Sequence, residues 1–155
     1  MTFRETLEGT RIKHLDLPPP QVLQPDVPVR EAVTQLRSVQ CACGLVVEND
    51  VLVGIVTERD ILNKVVGKPG ILDQDVRSIM TSNPVTVGMD SSLEDAIELM
   101  SSGGYRNIPV LDDSGAVTTS LNVHKIMLFI LDHFPQDVAN MPPRPEQEMK
   151  TPEGA

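Results

Sequence analysis

The stretches VREAVTQL (residues 29–36) and LEDAIELM (residues 93–100) carry the same apolar pattern 64 positions apart. In both stretches, apolar residues recur at positions i, i+3, i+4 and i+7, which places them on one face of an amphipathic helix. The same offset aligns further residues: Pro20 with Pro84, Asp26 with Asp90, Val46 with Val110 and Val53 with Val117. A unit repeated in this way predicts two similar halves that pack on one another and form paired clefts.

The segments around these helices predict a β-α-β-β-α unit in each half, which is an α+β fold with two small sheets flanked by helices. In the first half, we expect strands at residues 22–23, 43–48 and 51–56, a helix from Pro28 to residue 37, and a second helix from Thr57. In the second half, we expect strands at residues 83–87, 108–111 and 116–121, a helix that begins with a Ser91–Glu94 capping box and ends at Gly103–Gly104, and a closing helix over 123–134.

These elements divide the chain into five segments. They are a lead-in (1–11), a first repeat (12–66), a linker (67–75), a second repeat (76–134) and a Pro- and Glu-rich tail (135–155). The tail has no periodicity, so we interpret it as a disordered end or tether.

The composition and charge of the chain narrow the classes of partner. With 155 residues and 40% apolar residues, the chain can form one compact domain or two halves that share a core. Its net charge of −9 argues against nucleic acid and anionic membrane surfaces as partners. No apolar run reaches the roughly 18–20 residues that cross a bilayer, and the N-terminus lacks the features of a signal peptide. We therefore expect a cytoplasmic protein.

The residue types that carry catalysis or bind metals show no recognisable spacing. Cys41 and Cys43 point to opposite faces of a predicted strand, so they are badly placed to form a disulfide, and we interpret them as packing residues. His14, His124 and His133 show no ligand spacing with them. Neither a nucleophile–base arrangement nor a phosphate-binding glycine loop is evident. The sequence therefore predicts neither an enzyme nor a metal site, and no required cofactor.

Segments of both halves match the motifs of a known family. VGIVTERDIL at residues 53–62 matches the end of one such unit. The opening and middle of the following unit are matched by residues 80–81 with 84–87, by the helix start at 92–96 and by NIPV at 107–110. These segments resemble the cystathionine-β-synthase (CBS) domains. The resemblance covers about residues 12–131 in tandem, as in the small stand-alone CBS-pair proteins, which are also called Bateman modules.

This resemblance implies two repeats packed about a pseudo-two-fold axis with a ligand between them. Members of the family bind adenosine-containing molecules such as AMP, ADP, ATP, NAD or S-adenosylmethionine, act as sensors or regulators, and usually form dimers. The implied function is a regulatory module that binds such a ligand, forms a homodimer and acts in trans on a protein target that the sequence does not identify. The alternative is a structural dimerisation module without a physiological ligand.

Thr57 and Asp60 are the strongest candidates for contacting the ligand. An ionised carboxylate only accepts hydrogen bonds, so the two oxygens of Asp60 can accept both hydrogens of a ribose diol. The Thr57 hydroxyl can add a contact, and the N-terminus of the helix that these residues begin favours phosphate. The Thr-x-x-Asp spacing is also a helix-capping pattern, which leaves a purely structural role open.

The resemblance adds further residues to this first cleft. They are Ile55 and Arg59 in the same motif, Pro84, Val85 and Thr86 with backbone groups facing adenine, and Tyr105, Arg106 and Asn107 near the phosphates or the ribose. Arg59 and Arg106 are the natural phosphate partners, since a guanidinium fork matches phosphate oxygens. Either arginine can equally be a solvated surface charge.

The second half departs from the motif where the site should repeat. The offset of 64 places Leu121 at the position of Thr57 and His124 at that of Asp60, with Lys125 beside it. Leucine cannot donate to a ribose, and one imidazole cannot accept both diol hydrogens. We therefore expect this second cleft to be degenerate, which leaves one site per chain. The other interpretation is that His124 and Lys125 form a cationic cleft for a more phosphate-rich ligand.

Overall fold

Each half of the chain folds into a small sheet with helices packed against it. The structure is a computed structural model that describes residues 2–39 and 43–134. The first half contains α1 (Phe3–Gly9), β1 (Val22–Leu23), α2 (Val29–Ser38), β2 (Cys43–Glu48), β3 (Val51–Thr57) and α3 (Glu58–Lys64). The second half contains β4 (Thr81–Ser82), β5 (Val87–Gly88), α4 (Leu93–Gly103), β6 (Asn107–Leu111), β7 (Val117–Asn122) and α5 (Val123–His133). The predicted β-α-β-β-α order is confirmed in both halves.

The two sheets share one arrangement of strands. β1 runs parallel to β2, which pairs antiparallel with β3, and β5, β6 and β7 repeat this order. The register shifts between Val46 and Val47 in the first sheet and between Val110 and Leu111 in the second. These positions are 64 residues apart, so the irregularity repeats together with the regular structure.

The segment that precedes each repeat is bonded to the other repeat. The Val76 N–H donates to the Val27 carbonyl at 2.8 Å, and the Val29 N–H donates to the Gln74 carbonyl at 2.8 Å. The equivalent bonds 64 positions away join Ile12 N–H to the Ser91 carbonyl at 3.0 Å and Leu93 N–H to the Thr10 carbonyl at 2.8 Å. This exchange gives the pair its pseudo-two-fold character.

The apolar residues form two main cores, and each core takes residues from both halves. The first contains Leu23, Val29, Ala32, Leu36, Val46 and Val56 together with Val76 and Ile79 from the start of the second half. The second contains Val87, Leu93, Ala96, Met100, Ile108, Val110, Leu121 and Ile126 together with Leu7 and Ile12 from the N-terminus. The apolar helix faces predicted at residues 29–36 and 93–100 are therefore confirmed as core positions.

The lead-in is a helix that completes the second core. α1 begins at a capping box formed by Thr2 and Glu5, and its Leu7 is buried. Arg4 lies 3.2 Å from Glu94 on α4, so a surface ion pair also joins the two helices. α1 thus packs on the second repeat, although it precedes the first.

The strand predicted at residues 83–87 is wrong. The structure has two short strands there instead, β4 before the predicted start and β5 at its end. Asn83 lies between them with φ at 50°, a left-handed conformation that ends the extended chain. β4 pairs with β3 through Gly54–Ser82 and Ile55–Thr81, so it extends the first sheet although it belongs to the second half.

Two predicted helix starts also need correction. α4 is capped by Ser92, whose hydroxyl accepts a hydrogen bond from the Asp95 N–H at 3.1 Å, and not by the predicted Ser91–Glu94 box. Ser91 instead accepts from the Gly88 N–H at 3.0 Å. Pro28 is the N-cap residue of α2 and not its first helical residue. The predicted end of α4 is confirmed, because Gly104 takes a left-handed conformation as the C-cap.

Candidate functional site

Asp60 lies at the start of α3, where its carboxylate closes the first turn of the helix. The Thr57 hydroxyl accepts a hydrogen bond from the Asp60 N–H at 3.3 Å, and Asp60 Oδ2 accepts one from the Thr57 N–H at 2.9 Å. The Thr57 hydroxyl donates to the same oxygen at 3.1 Å. This reciprocal capping box satisfies N–H groups that a helix start leaves without partners. The capping role that the sequence left open is therefore present.

Two further side chains hold the other oxygen of Asp60. Lys64 Nζ donates to Asp60 Oδ1 at 2.9 Å, and Thr81 Oγ1 donates to the same atom at 3.0 Å. Asp60 is 6% exposed, so its charge needs such compensation. We call Thr57, Asp60, Lys64 and Thr81 the Asp60 network. Each carboxylate oxygen accepts two hydrogen bonds within it, so the four acceptor positions of the carboxylate are all in use.

The Asp60 network joins the two halves of the chain. Thr81 begins β4, which belongs to the second half, whereas Asp60 and Lys64 lie on α3 of the first half. Gly54 allows this approach, because a Cβ atom there would overlap the Met80 side chain and lie 3.1 Å from the Thr81 carbonyl oxygen. The glycine of the VGIVTERDIL motif is thus explained by the packing of the second half against β3.

The remaining first-cleft candidates in the motif and on the following loop make no side-chain hydrogen bond to this network, although Ile55 pairs with Thr81 between β3 and β4. Ile55 is buried with Cys43 and Leu45 in a small apolar cluster between the sheets. Arg59 is exposed on the first turn of α3, and within the described part of the chain it has no hydrogen bond or ion pair. Pro84, Val85 and Thr86 connect β4 to β5 and are half-buried or exposed.

Arg106 and Asn107 are bonded to the start of α5 and the end of β7, whereas Tyr105 packs back on the end of α4. The Tyr105 ring packs over Gly103, where a Cβ atom would overlap it. Arg106 is exposed, and its carbonyl accepts a hydrogen bond from the Val123 N–H at 2.9 Å. Asn107 Oδ1 accepts one from Asn122 Nδ2 at 2.7 Å. The structure therefore places Asn107 beside the second cleft.

A cavity of about 550 Å³ opens between the repeats in the second cleft. We call it the inter-repeat cavity. Its walls are Pro18, Pro19, Pro20, Gln21, Val39 and Cys43 from the first half and Asn107, Ser120, Asn122, His124 and Lys125 from the second half. Ligand pockets typically measure about 300–1,000 Å³, so this volume is sufficient for a small molecule. The motif residues differ here as the sequence indicates, and the space between the repeats is nevertheless open.

The three second-cleft residues named from the sequence take different positions. Leu121 is fully buried in the second core. His124 and Lys125 are exposed on the first turn of α5 and line the inter-repeat cavity. Asn122 caps this helix, since its Oδ1 accepts a hydrogen bond from the His124 N–H at 2.7 Å.

Sequence reasoning missed several of these residues, and some left a signal. Lys64 follows Asp60 by four residues, the spacing at which an acid and a base meet on one helix face. The offset of 64 pairs Pro20 with Pro84, a residue named for the first cleft, so it could have identified the proline run at 18–20 as a wall of the second cleft. Thr81 left no local signal, because its contact depends on strand pairing between the halves.

Cys43 is buried at 2% exposure in the cluster between the sheets, as expected for a packing residue. Its Sγ lies 3.6 Å from the Ser120 hydroxyl oxygen. Cys41 lies outside the described residues. Over residues 2–39 and 43–134, no group of three or more His, Cys, Asp or Glu side chains is placed to hold a metal ion. In that same part of the chain, no helix combines the length and the apolar character needed to span a membrane.

The sequence profile of the CBS domain matches this chain twice, at residues 12–67 and 76–118. The two matches together cover more than half of the chain. The first spans the whole β-α-β-β-α unit of the first half, and the second ends within β7, before α5. The chain therefore belongs to the CBS domain family, as a tandem pair. CBS pairs are typically regulatory modules without catalytic activity.

Solved structures of CBS-domain proteins share the fold. The CBS domain protein NE2398 is 28% identical, with a TM-score of 0.73, and the match covers 79% of this chain and 98% of that one. ATU1752 from Agrobacterium tumefaciens is 26% identical, with a TM-score of 0.69 and coverage of 77% and 98%. PAE2072 from Pyrobaculum aerophilum, complexed with AMP, is 25% identical, with a TM-score of 0.70 and coverage of 80% and 99%. The comparison with curated proteins found no match.

Proposed function

We propose that this chain is a regulatory module that binds an adenosine-containing ligand in the first cleft, with the ribose diol on Asp60. The observation that carries this proposal is the nearly buried Asp60 carboxylate at a contact between the two repeats. The AMP complex of PAE2072, at 25% identity, supports the ligand class. AMP, ADP, ATP, NAD and S-adenosylmethionine all contain an adenosine ribose with the required diol.

Binding at Asp60 is an exchange of hydrogen-bond donors. Oδ1 of Asp60 accepts hydrogen bonds from the Lys64 ammonium and the Thr81 hydroxyl. Lys64 is partly exposed to solvent and Thr81 is exposed. The two hydroxyls of a ribose diol can replace these two donors, so the carboxylate keeps its number of hydrogen bonds. The capping bonds from Thr57 to Oδ2 need not change, and α3 keeps its first turn.

This exchange offers a route from ligand to regulation. The Thr81–Asp60 hydrogen bond joins β4 of the second half to α3 of the first half. A ligand that takes its place removes a contact between the repeats and adds its own. The equilibrium between two arrangements of the repeats then shifts by the difference in ligand affinity between them. A cytoplasmic protein partner would bind one arrangement of the repeats more tightly than the other.

A thermal-shift screen against the five ligands tests the ligand class. A ligand that binds only the folded state stabilises it by about 2.7 kcal/mol at a hundredfold excess over its Kd. For a chain of this size, that free energy corresponds to a rise in Tm of about 5–11 °C. A rise with one or two of the ligands would support the proposal and identify the ligand. Unchanged Tm values with all five would contradict it.

A second candidate function is a dimerisation scaffold, and exposed apolar side chains favour it. Leu62 on α3 is 68% exposed, and Met127 and Leu131 on α5 are 53% and 45% exposed. Exposed apolar residues on two helices suit a homodimer interface. Light scattering gives the mass in solution, and Met127→Glu with Leu131→Glu should reduce a dimer to a monomer. A dimer that binds none of the five ligands would favour the scaffold over the sensor.

A further inference from the structure

We propose that Lys64 is a built-in competitor of the ligand at Asp60. Its ammonium occupies the position on the carboxylate that a ribose hydroxyl needs, so the first cleft binds an adenosine-containing ligand less tightly than the carboxylate alone would. This role rests on the proposed function, since it concerns the same carboxylate, and it raises the ligand concentration at which the module responds. Removal of this cation should therefore tighten the binding of the ligand.

The Lys64 ammonium is held in place by two acceptors. Its Nζ donates to Asp60 Oδ1 at 2.9 Å and to the Ile79 carbonyl at 2.9 Å. The first acceptor lies four residues before Lys64, on the same face of α3. The second belongs to a fully buried residue of the first core, so its carbonyl is a fixed point of the fold. Two acceptors hold a side chain that is otherwise flexible, and the ammonium therefore lies at Asp60 in the ligand-free protein.

The ammonium takes a position that the ribose diol also needs. Asp60 Oδ2 accepts from Thr57 and closes the first turn of α3, so a ligand that leaves the helix intact has to bond to Oδ1. Thr81 and Lys64 hold both acceptor positions there. The Thr81 hydroxyl is neutral and can turn away by rotation about one bond. The ammonium forms an ion pair with the carboxylate, which is a stronger bond, so Lys64 is the costlier donor to displace.

The ammonium can nevertheless be released. The Lys64 side chain is 40% exposed, whereas that of Asp60 is 8% exposed, so the lysine approaches the carboxylate from the solvent side. An ammonium has three N–H groups, and the one that leaves Asp60 can bond to water while another keeps the Ile79 carbonyl. Ion pairs with an exposed partner contribute little free energy. The competition therefore weakens ligand binding without preventing it.

The second half does not repeat this ion pair. The offset of 64 places Leu128 at the position of Lys64 and His124 at the position of Asp60, so both the ammonium and the carboxylate are replaced. The competition is therefore specific to the cleft that keeps the complete motif.

Calorimetric titration with adenosine tests this role, because adenosine has a ribose diol and no net charge. Lys64→Met should bind adenosine about two- to fivefold more tightly than the wild type, which is about 0.4–1 kcal/mol and within the range of partly exposed ion pairs. Lys68→Met is the matched control. It removes the same charge from an exposed lysine whose ammonium donates to the Asn63 carbonyl at 3.2 Å, and it should leave the affinity unchanged. Lys64→Arg keeps the charge, so its affinity should stay closer to that of the wild type than to that of Lys64→Met.

The dependence on salt distinguishes competition from a structural effect of the lysine. A rise in ionic strength from about 0.1 M to about 1 M shortens the Debye length from about 10 Å to about 3 Å and weakens an exposed ion pair. The difference in adenosine affinity between the wild type and Lys64→Met should therefore become smaller at high salt. A difference that stays the same would contradict competition by charge.

The outcomes separate this role from the proposed function. If Asp60→Asn weakens binding while Lys64→Met binds adenosine no more tightly than the wild type, Asp60 still holds the ribose and the competitor role is wrong. AMP takes the place of adenosine if adenosine binds neither protein, and weaker AMP binding by Lys64→Met would make Lys64 a phosphate partner and overturn the role as well. If Asp60→Asn and the wild type bind equally, or if neither ligand binds any of these proteins, the proposed function fails and the role of Lys64 fails with it.

Discussion

Asp60→Ala should cost more stability than a typical change at a helix start. The substitution removes the capping bond to the Thr57 N–H and leaves the Thr81 hydroxyl without its acceptor. The Lys64 ammonium loses its ion pair and keeps only its hydrogen bond to the Ile79 carbonyl at 2.9 Å. Loss of a helix-capping side chain costs about 1 kcal/mol. The ion pair to Lys64 adds less than about 1 kcal/mol, since Lys64 is 40% exposed and solvent screens the pair.

We therefore expect a total loss of about 2 kcal/mol in the free energy of unfolding. For a chain of this size, that corresponds to a fall in Tm of about 4–8 °C. Urea denaturation of the ligand-free protein measures it directly. Asp60→Asn keeps an oxygen that can accept from the Thr57 N–H, so it should lose about half as much as the alanine variant.

A double-mutant cycle between Asp60→Ala and Lys64→Met separates the ion pair from the cap. The coupling free energy should be about 0.2–1 kcal/mol, because one partner is well exposed. If Asp60→Ala changes the free energy of unfolding by less than about 0.5 kcal/mol, a value usual for surface sites, the Asp60 network does not stabilise the protein and this reasoning is refuted.

Three further predictions concern the packing and the surface. Gly54→Ala should destabilise the protein by about 1–3 kcal/mol in urea unfolding, because the added Cβ overlaps Met80, whereas Gly70→Ala, with open space around it, should stay within about 0.5 kcal/mol. A fragment of residues 12–66 lacks Val76 and Ile79 of its core, so it should show no cooperative thermal unfolding by circular dichroism. A fragment of residues 18–82 contains both residues and should unfold more cooperatively. A cooperative transition in the 12–66 fragment would contradict the exchange of segments between the repeats. The pKa of Asp112 is lowered by hydrogen bonds from the Ser114 hydroxyl and the Ala116 N–H, so its contribution to stability is present above the ordinary Asp pKa of about 4 and is lost as the pH falls through the lowered value. Tm measured against pH should therefore fall less steeply below about pH 4 in Asp112→Asn than in the wild type, and parallel curves would contradict this assignment.

The elements that the sequence predicted correctly depend on local patterns. The apolar faces of α2 and α4 repeat at helical spacing. The strands predicted at 43–48 and 51–56 leave Asn49 and Asp50 between them, two residue types that tolerate the positive φ that both adopt. The errors have a different origin. The pairing of β4 with β3 joins the two halves, and no window of sequence around Asn83 contains that information. Ser91 and Ser92 are both good caps, so the choice between them depends on how the preceding segment is hydrogen-bonded.

The candidate site was predictable in its residues and less so in its contacts. The motif identified Thr57 and Asp60, and the offset identified Leu121 and His124 as their counterparts, with Lys125 beside His124. The pairing of Asp60 with Thr81 depends on how closely β4 approaches β3, which only the folded chain determines. The open inter-repeat cavity likewise depends on how the folded chain places the Pro18–Gln21 segment relative to the start of α5, and residue types alone do not give its volume.

Calorimetric titration of the wild-type protein, Asp60→Asn and Glu58→Gln with the ligand that gives the largest thermal shift tests the central claim most directly. Glu58 is exposed on the same helical turn, and its replacement removes the same charge without touching the Asp60 network. We predict saturable binding by the wild type, a loss of affinity of at least tenfold in Asp60→Asn, about 1.4 kcal/mol, and an unchanged affinity in Glu58→Gln. Equal affinities for the wild type and Asp60→Asn would contradict the claim that Asp60 holds the ribose.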